Sequence, residues 1–159
     1  MRNLVEEYKK GYVSLVETVA GLSPEILSFK PSETAWSVHE ILIHLADAES
    51  IGIQRMKKIL AEDNPLLTAY DQDAFASILS YKDQDYKLAL EIIKLLRKSF
   101  AFVLEALPAE AWDRTGVHVE RGKVTLEELL GGYVDHLKGH IAQIHRNLDA
   151  YRALRLVQQ

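Results

Sequence analysis

The chain contains no cysteine, which excludes disulfide cross-links, thiolate metal ligands and a cysteine nucleophile. A cytoplasmic location fits that absence. Long apolar runs are missing as well. None approaches the ~18 residues that cross a bilayer, so no membrane partner is expected. The opening MRNLVEEYKKGYVSLVE is amphipathic and carries acids, unlike a signal or transit peptide. Basic charge is in short supply, with Lys+Arg 19 against Asp+Glu 23 and a net charge of −4. No cationic cluster exceeds a KK pair, which argues against nucleic-acid binding. Glycine-rich phosphate loops and a G-x-S-x-G elbow are also absent. No Glu has His three positions on, which removes a ferritin-type di-iron site. HExxH is missing too, since His39 and His44 stand five apart on different helix faces.

What remains is an ordinary globular composition, 48% hydrophobic and 26% charged over 159 residues, read as one domain spanning 1–159. Its dominant period is helical. Leu4, Val5, Tyr8, Tyr12, Leu15, Val16, Val19 and Leu22 form a stripe that predicts a helix over about residues 2–22, closed by Gly21 and Pro24. Ser37 and Glu40 form a capping box, flanked by Trp36 and Ile41 as a hydrophobic staple, and start a second helix. Its inward face carries Ile41, Leu45, Ala48, Gly52 and Ile59, with His44 beside them. A third helix is predicted over about 83–106, with Leu88, Ile92, Leu95, Leu96, Val103 and Leu107 inward, ending at Pro108.

RTGVHVERGKV alternates around Gly116 and Gly122 and reads as a short hairpin or an extended loop. A second capping box, Thr125 with Glu128, opens the fourth helix, whose stripe runs through Leu126, Leu129, Tyr133, Leu137, Ile141, Ile144 and Leu148. Gly131 and Gly132 inside it cost roughly 1 kcal/mol each against Ala, pointing to close helix approach or to a gap left open. Four amphipathic helices with long connections predict an all-α four-helix bundle in which at least one connection crosses an end. A faint echo links the two halves: His44 stands seven residues past Ser37, and His136 eleven past Thr125. The difference is about one helical turn, so both histidines fall on similar faces.

The histidines carry the chemistry. His136 and His140 are spaced i, i+4 and project from one helix face, so both nitrogens can reach one metal ion at ~2.0–2.1 Å. His44 supplies a third ligand if the bundle brings its helix alongside. Three protein ligands leave a coordination position open, the pattern of a catalytic site. Taken alone, His44 reads first as a hydrogen-bonded core residue and only second as a ligand, and an i, i+4 pair occurs on ordinary surface helices. Asp47, three residues past His44, is read either as a solvated charge or as a catalytic or imidazole-orienting carboxylate. Gln143 can hydrogen-bond near His140, and Tyr70 and Tyr133 are candidate pocket hydroxyls. His39 is expected to face solvent and His145 to turn away; His118 falls in the hairpin without an assigned role. Because a ligand histidine must be neutral, metal retention is expected to fall as pH drops through about 6.5.

AWSVHEILIHLADAE resembles the W-S-x-x-E-x-x-x-H-L-x-x-x-E signature of the DinB/YfiT-like metalloenzymes, and HLKGHIAQI resembles their H-x-x-x-H-x-x-Q-I. Many relatives carry a further histidine where this chain has Gly139. The resemblance implies His44, His136 and His140 as ligands to nickel, zinc or iron, in a crossover four-helix bundle that is often a homodimer. It also implies a hydrolase, or a thiol S-transferase that takes a small-molecule substrate and a low-molecular-weight thiol. The alternative is a non-catalytic metal-binding or stress-related bundle that acts through a partner.

Overall fold

The computed structural model describes residues 2–157. Helix α1 (Arg2–Val19) buries Val5, Tyr8, Leu15 and Val19, the stripe its sequence marks. Short α2 (Pro24–Ser28) is capped by Ser23, with proline at the start where a missing N–H costs nothing. Helix α3 (Val38–Ala61) begins at the predicted capping box: Glu40 N–H donates to Ser37 Oγ at 3.2 Å, and Ser37 N–H donates to Glu40 Oε2 at 2.8 Å. Asp71 and Asp85 cap α4 (Gln72–Ile78) and α5 (Tyr86–Glu105) through their side chains. The second capping box opens α6 (Leu126–Val157), with Thr125 N–H to Glu128 Oε2 at 2.8 Å and Glu128 N–H to Thr125 Oγ1 at 3.1 Å.

The four long helices form a four-helix bundle in which α1 and α3 each pack against both α5 and α6. The order around the bundle is therefore α1, α5, α3, α6. Chain-consecutive α1 and α3 sit across a diagonal, as do α5 and α6. Two connections, α1 to α3 and α5 to α6, thus cross the bundle's ends, where the sequence demanded at least one.

The second crossover carries the hairpin. β2 (Thr115–His118) pairs antiparallel with β3 (Gly122–Thr125), His118 opposite Gly122. The tight loop needs a residue at positive φ, and Gly122 takes it at 74°. A two-residue strand from the segment after α3, β1 (Leu66–Leu67), adds parallel to β2. Of the two readings of RTGVHVERGKV the structure has the hairpin, and β1 is the strand the sequence reading lacked, giving a small sheet in the order β1-β2-β3.

Helix α5 corrects the predicted inward face in part: Leu96 and, just past the helix, Leu107 pack against the core as expected. Ala89, Ile93, Arg97, Phe100, Ala101 and Leu104 are the buried residues. Leu88 at 59%, Leu95 at 61% and Phe102 at 76% exposure lie outside, and Ile92 and Val103 are also exposed. A charged strip of Lys87, Glu91, Lys94, Lys98 and Glu105 leaves a wide apolar arc, so periodicity alone does not choose which part of that arc faces the core. The true inner face includes an arginine, which a hydrophobicity reading assigns to solvent.

Apolar packing splits into two clusters along the bundle axis. One gathers Leu15, Leu42, Leu45, Ile93, Leu137 and Ile144; the other gathers Tyr8, Ile53, Met56, Phe100, Leu130 and Val134. Where they meet on α3, α5 and α6 lie Glu49, Arg97 and His136, with His44 and His140 about a turn into the first cluster. The bundle has a polar belt at its waist. Arg97 donates to Glu49 Oε2 from Nε at 2.9 Å and from Nη2 at 2.8 Å, and to the Tyr8 carbonyl at 2.7 Å. Tyr8 hydroxyl donates to Glu49 Oε1. Every charge in this group has a buried partner, which is the condition for burying an ion pair without a large penalty.

Candidate metal centre

The belt positions the three histidines. Helix α3 supplies His44, which is fully buried, and neighbouring α6 supplies half-buried His136 and His140 one turn apart. Their Nε2 atoms converge: His44 to His136 is 3.2 Å and His140 to His136 is 3.1 Å. Two nitrogens bound to one ion at 2.0–2.1 Å, at angles between octahedral and tetrahedral, lie about 2.9–3.4 Å apart. The observed separations fall in that interval.

Hydrogen bonding alone does not satisfy this arrangement. His136 Nε2 has one proton or one lone pair, yet it faces two neighbouring nitrogens. His140 Nδ1 lies 2.9 Å from Gln143 Oε1, so it carries the proton and leaves Nε2 as a bare acceptor. A cation at the meeting point accepts all three lone pairs, so the residues fit a divalent metal ion. Protonation favours the same state. Burial, with mutual repulsion from His140 and His136, holds His44 down at about 3. Burial, His140 and Arg97 hold His136 down at about 4, and burial lowers His140. All three are neutral at pH 7, the form in which an imidazole can bind a metal.

The surroundings fix the rings. Gln143 orients His140, as the sequence suggested. Trp36, expected only as a staple, packs its indole 4.8 Å from the His44 ring and lies parallel to the His140 ring at 6.5 Å. Its carbonyl accepts from Asn147 of α6 at 2.9 Å, tying the α3 cap to the ligand helix. His44 Nδ1 is buried without a hydrogen-bond partner among the described residues. Packing against Trp36 orients this ring where a carboxylate often does.

Asp47 does not serve His44. Its carboxylate accepts from Tyr81 hydroxyl at 2.5 Å, and it is not among the residues lining the adjoining cleft. His39 corrects the solvent-facing expectation: it is half-buried, with Nε2 2.8 Å from the Gln84 carbonyl and its ring against Tyr86. His145 is exposed, as expected.

His136 also lines a cleft of about 480 Å³, together with Arg55, Tyr70, His118, Arg121 and Tyr133. This puts both tyrosine candidates on one wall and gives His118 a place. Gly132 lies on the same wall, and nothing approaches within 4 Å of a Cβ built at Gly131. Of the two readings of that glycine pair, the structure supports the open gap. Arg55, Glu49 and Arg97 were missed because charged residues read as surface. The signal for Glu49 was present as the last position of the α3 motif.

The fold, the three-histidine point and the cleft define the class of protein. The family model of the DinB superfamily matches residues 7–144, and the chain belongs to that superfamily. Among its relatives is a protein of Oceanobacillus iheyensis, provisionally named a metal-dependent hydrolase. It is 30% identical over 130 residues, covering 82% of this chain and 75% of the relative. YfiT of Bacillus subtilis, with the same provisional name, is 26% identical over 151 residues, covering 89% of this chain and 85% of its own. The solved structure of YfiT, described as a four-helix bundle of unusual topology, superposes with a TM-score of 0.86. It covers 92% of this chain and 84% of YfiT at 25% identity. No described helix is long and apolar enough to cross a membrane.

Proposed function

We propose that the protein is a divalent-metal-dependent hydrolase of small molecules, with His44, His136 and His140 as the ligands. The observation that carries this reading is the convergence of three neutral Nε2 atoms beside a cleft that shares His136. Among the described residues, three side chains and no fourth meet there, so a coordination position is left for a reactant. That favours catalysis over the alternative, a bundle that merely sequesters an ion. Bound there, nickel, zinc or iron would supply Lewis acidity and lower the pKa of a water or thiol. The chain's own part is to hold the imidazoles neutral, to fix their direction through Trp36 and Gln143, and to offer Tyr133 as a proton donor on the cleft wall. Burial raises the Tyr133 hydroxyl above its ordinary value, so it stays protonated at neutral pH.

Thiol transfer, with a low-molecular-weight thiol as second reactant, is the other reading. One observation favours it. Of the acids lining the cleft, Asp71 is spent on capping α4 and Glu120 is exposed. A low-pKa thiol needs no protein base, whereas water activation gains from one. We also infer a cytoplasmic homodimer, with no membrane or nucleic-acid partner. The apolar stripe Leu88–Leu95–Phe102 on α5 is the face a second copy would cover.

Elemental analysis of untagged protein tests the metal reading. Stoichiometric divalent metal is expected in the wild type and its loss in the His136→Ala/His140→Ala variant; full retention in the variant overturns the assignment. Screening the loaded protein on simple esters and amides, and on thiol/electrophile pairs, separates the two reactions.

A further inference from the structure

Two arginines are buried in this bundle, and their circumstances differ. Arg97 has Glu49. Arg55, on α3 and only 9% exposed, has no carboxylate partner among the described residues. Its Nη1 donates to Tyr133 hydroxyl at 3.1 Å, its Nη2 donates to the Thr68 carbonyl, and its Nε is buried with no acceptor. Tyr70 lies over it, 6.0 Å from Cζ to the ring centroid. All these partners are neutral. A desolvated guanidinium left without a countercharge is costly. Clamping the Thr68 loop does not explain the charge, because a neutral donor would do the same.

The side chains around Arg55 are also set as donors. His118 is buried, and its Nδ1 accepts from the Glu120 N–H at 3.3 Å, which puts its proton on Nε2. Tyr133 accepts from Arg55, leaving its own O–H free to donate. Arg121 stands exposed on the same wall, where a Cβ at Gly132 would come within 3.4 Å of its Nη1. All of them line the cleft that His136 lines. A wall of donors around an unpaired cation fits anionic oxygens.

We propose that Arg55, with His118, forms the subsite for an anionic group of the substrate, a carboxylate or phosphate, that holds the reacting end beside Tyr133 and the three-histidine centre. The inference rests on the reading of that centre as the place of reaction, and it narrows the substrate class to small anions.

The test is thermal melting of the full chain, with Zn²⁺ and after chelation, titrated with succinate or inorganic phosphate against chloride at equal ionic strength. One of the two anions is expected to raise Tm in both conditions. Arg55→Lys, which keeps the charge and loses the fork, should weaken that response about ten-fold. Arg55→Met should abolish it while melting no lower than the wild type without anion, because the unpaired charge is gone. A response to succinate alone assigns a carboxylate substrate, and to phosphate alone a phosphorylated one. A wild type unmoved by either anion overturns the proposal, as does a response that survives both substitutions. Should the methionine variant fail to fold, the lysine titration decides. Loss of zinc stoichiometry with Arg55-dependent anion binding intact would remove the metal reading and leave the subsite standing.

Discussion

Gly52 of α3 lies directly beneath the ring of Tyr133 of α6: a Cβ built at Gly52 would fall 2.4 Å from Tyr133 Cζ. The absent side chain is what lets the phenol lie flat between the ligand helices and reach Arg55. Gly52→Ala is therefore expected to expel the ring. Overpacking of this kind costs about 1–3 kcal/mol, to be read from denaturant midpoints. In a Tyr133→Ala background Gly52→Ala should cost little, and a loss there as large as in the wild type would refute the contact as its cause.

Glu49 neutralises Arg97 in the waist of the bundle, so Glu49→Gln leaves a second buried guanidinium unpaired. A loss of about 3–5 kcal/mol is expected, the usual size for breaking a buried ion pair. Glu49→Gln combined with Arg97→Met should recover part of it. A single-variant loss under about 1 kcal/mol in urea would show that the pair is not desolvated as described.

The pH dependence has a definite sign. His44, His136 and His140 all titrate below the free-histidine value of about 6.5. Between folded and unfolded values the unfolded chain binds more protons, so lowering pH favours unfolding. The penalty from these residues is absent above about 6.5, grows as pH falls, and levels off under about 3. Metal-free wild type should lose stability over that window more steeply than the His136→Ala/His140→Ala variant. Equal slopes in chemical denaturation from pH 7 to 4 would contradict it.

The same depression moves the metal-retention threshold. From free histidine, loss near pH 6.5 is expected, but ligands already neutral in the folded protein resist proton competition to lower pH. Metal content after desalting should hold through pH 6 and fall below it. Half-loss at 6.5 or above would count against the buried triad.

Asp47 is engaged by Tyr81 rather than by an imidazole. Asp47→Asn should leave metal stoichiometry unchanged, and a drop in bound metal would restore its role as a carboxylate that orients a ligand.

The parts legible in sequence were those that local chemistry specifies. The Ser37–Glu40 and Thr125–Glu128 boxes marked two helix starts because capping needs only neighbours three apart. His136 and His140 announced a shared face by spacing. His44 needed the family motif, since nothing local says which helices are neighbours. The inner face of α5 was misread because it pairs Arg97 with apolar residues while Leu88 and Leu95 point outward. Arg55 and His118 stayed hidden because burial of a charge, or of a hairpin histidine, follows from crossovers that a one-dimensional pattern does not encode.

Those crossovers also make the site a long-range feature of the chain. His44 and His136 are 92 residues apart in sequence, on helices that become neighbours only after the chain has passed over an end of the bundle. The nitrogen cluster joins contacts far apart in sequence, and any ligand that needs all three imidazoles stabilises the finished topology over every partly assembled one. Binding and topology are thus one requirement: a bundle that set α3 and α6 across a diagonal would part His44 from His136 and His140, and would have nowhere to put an ion.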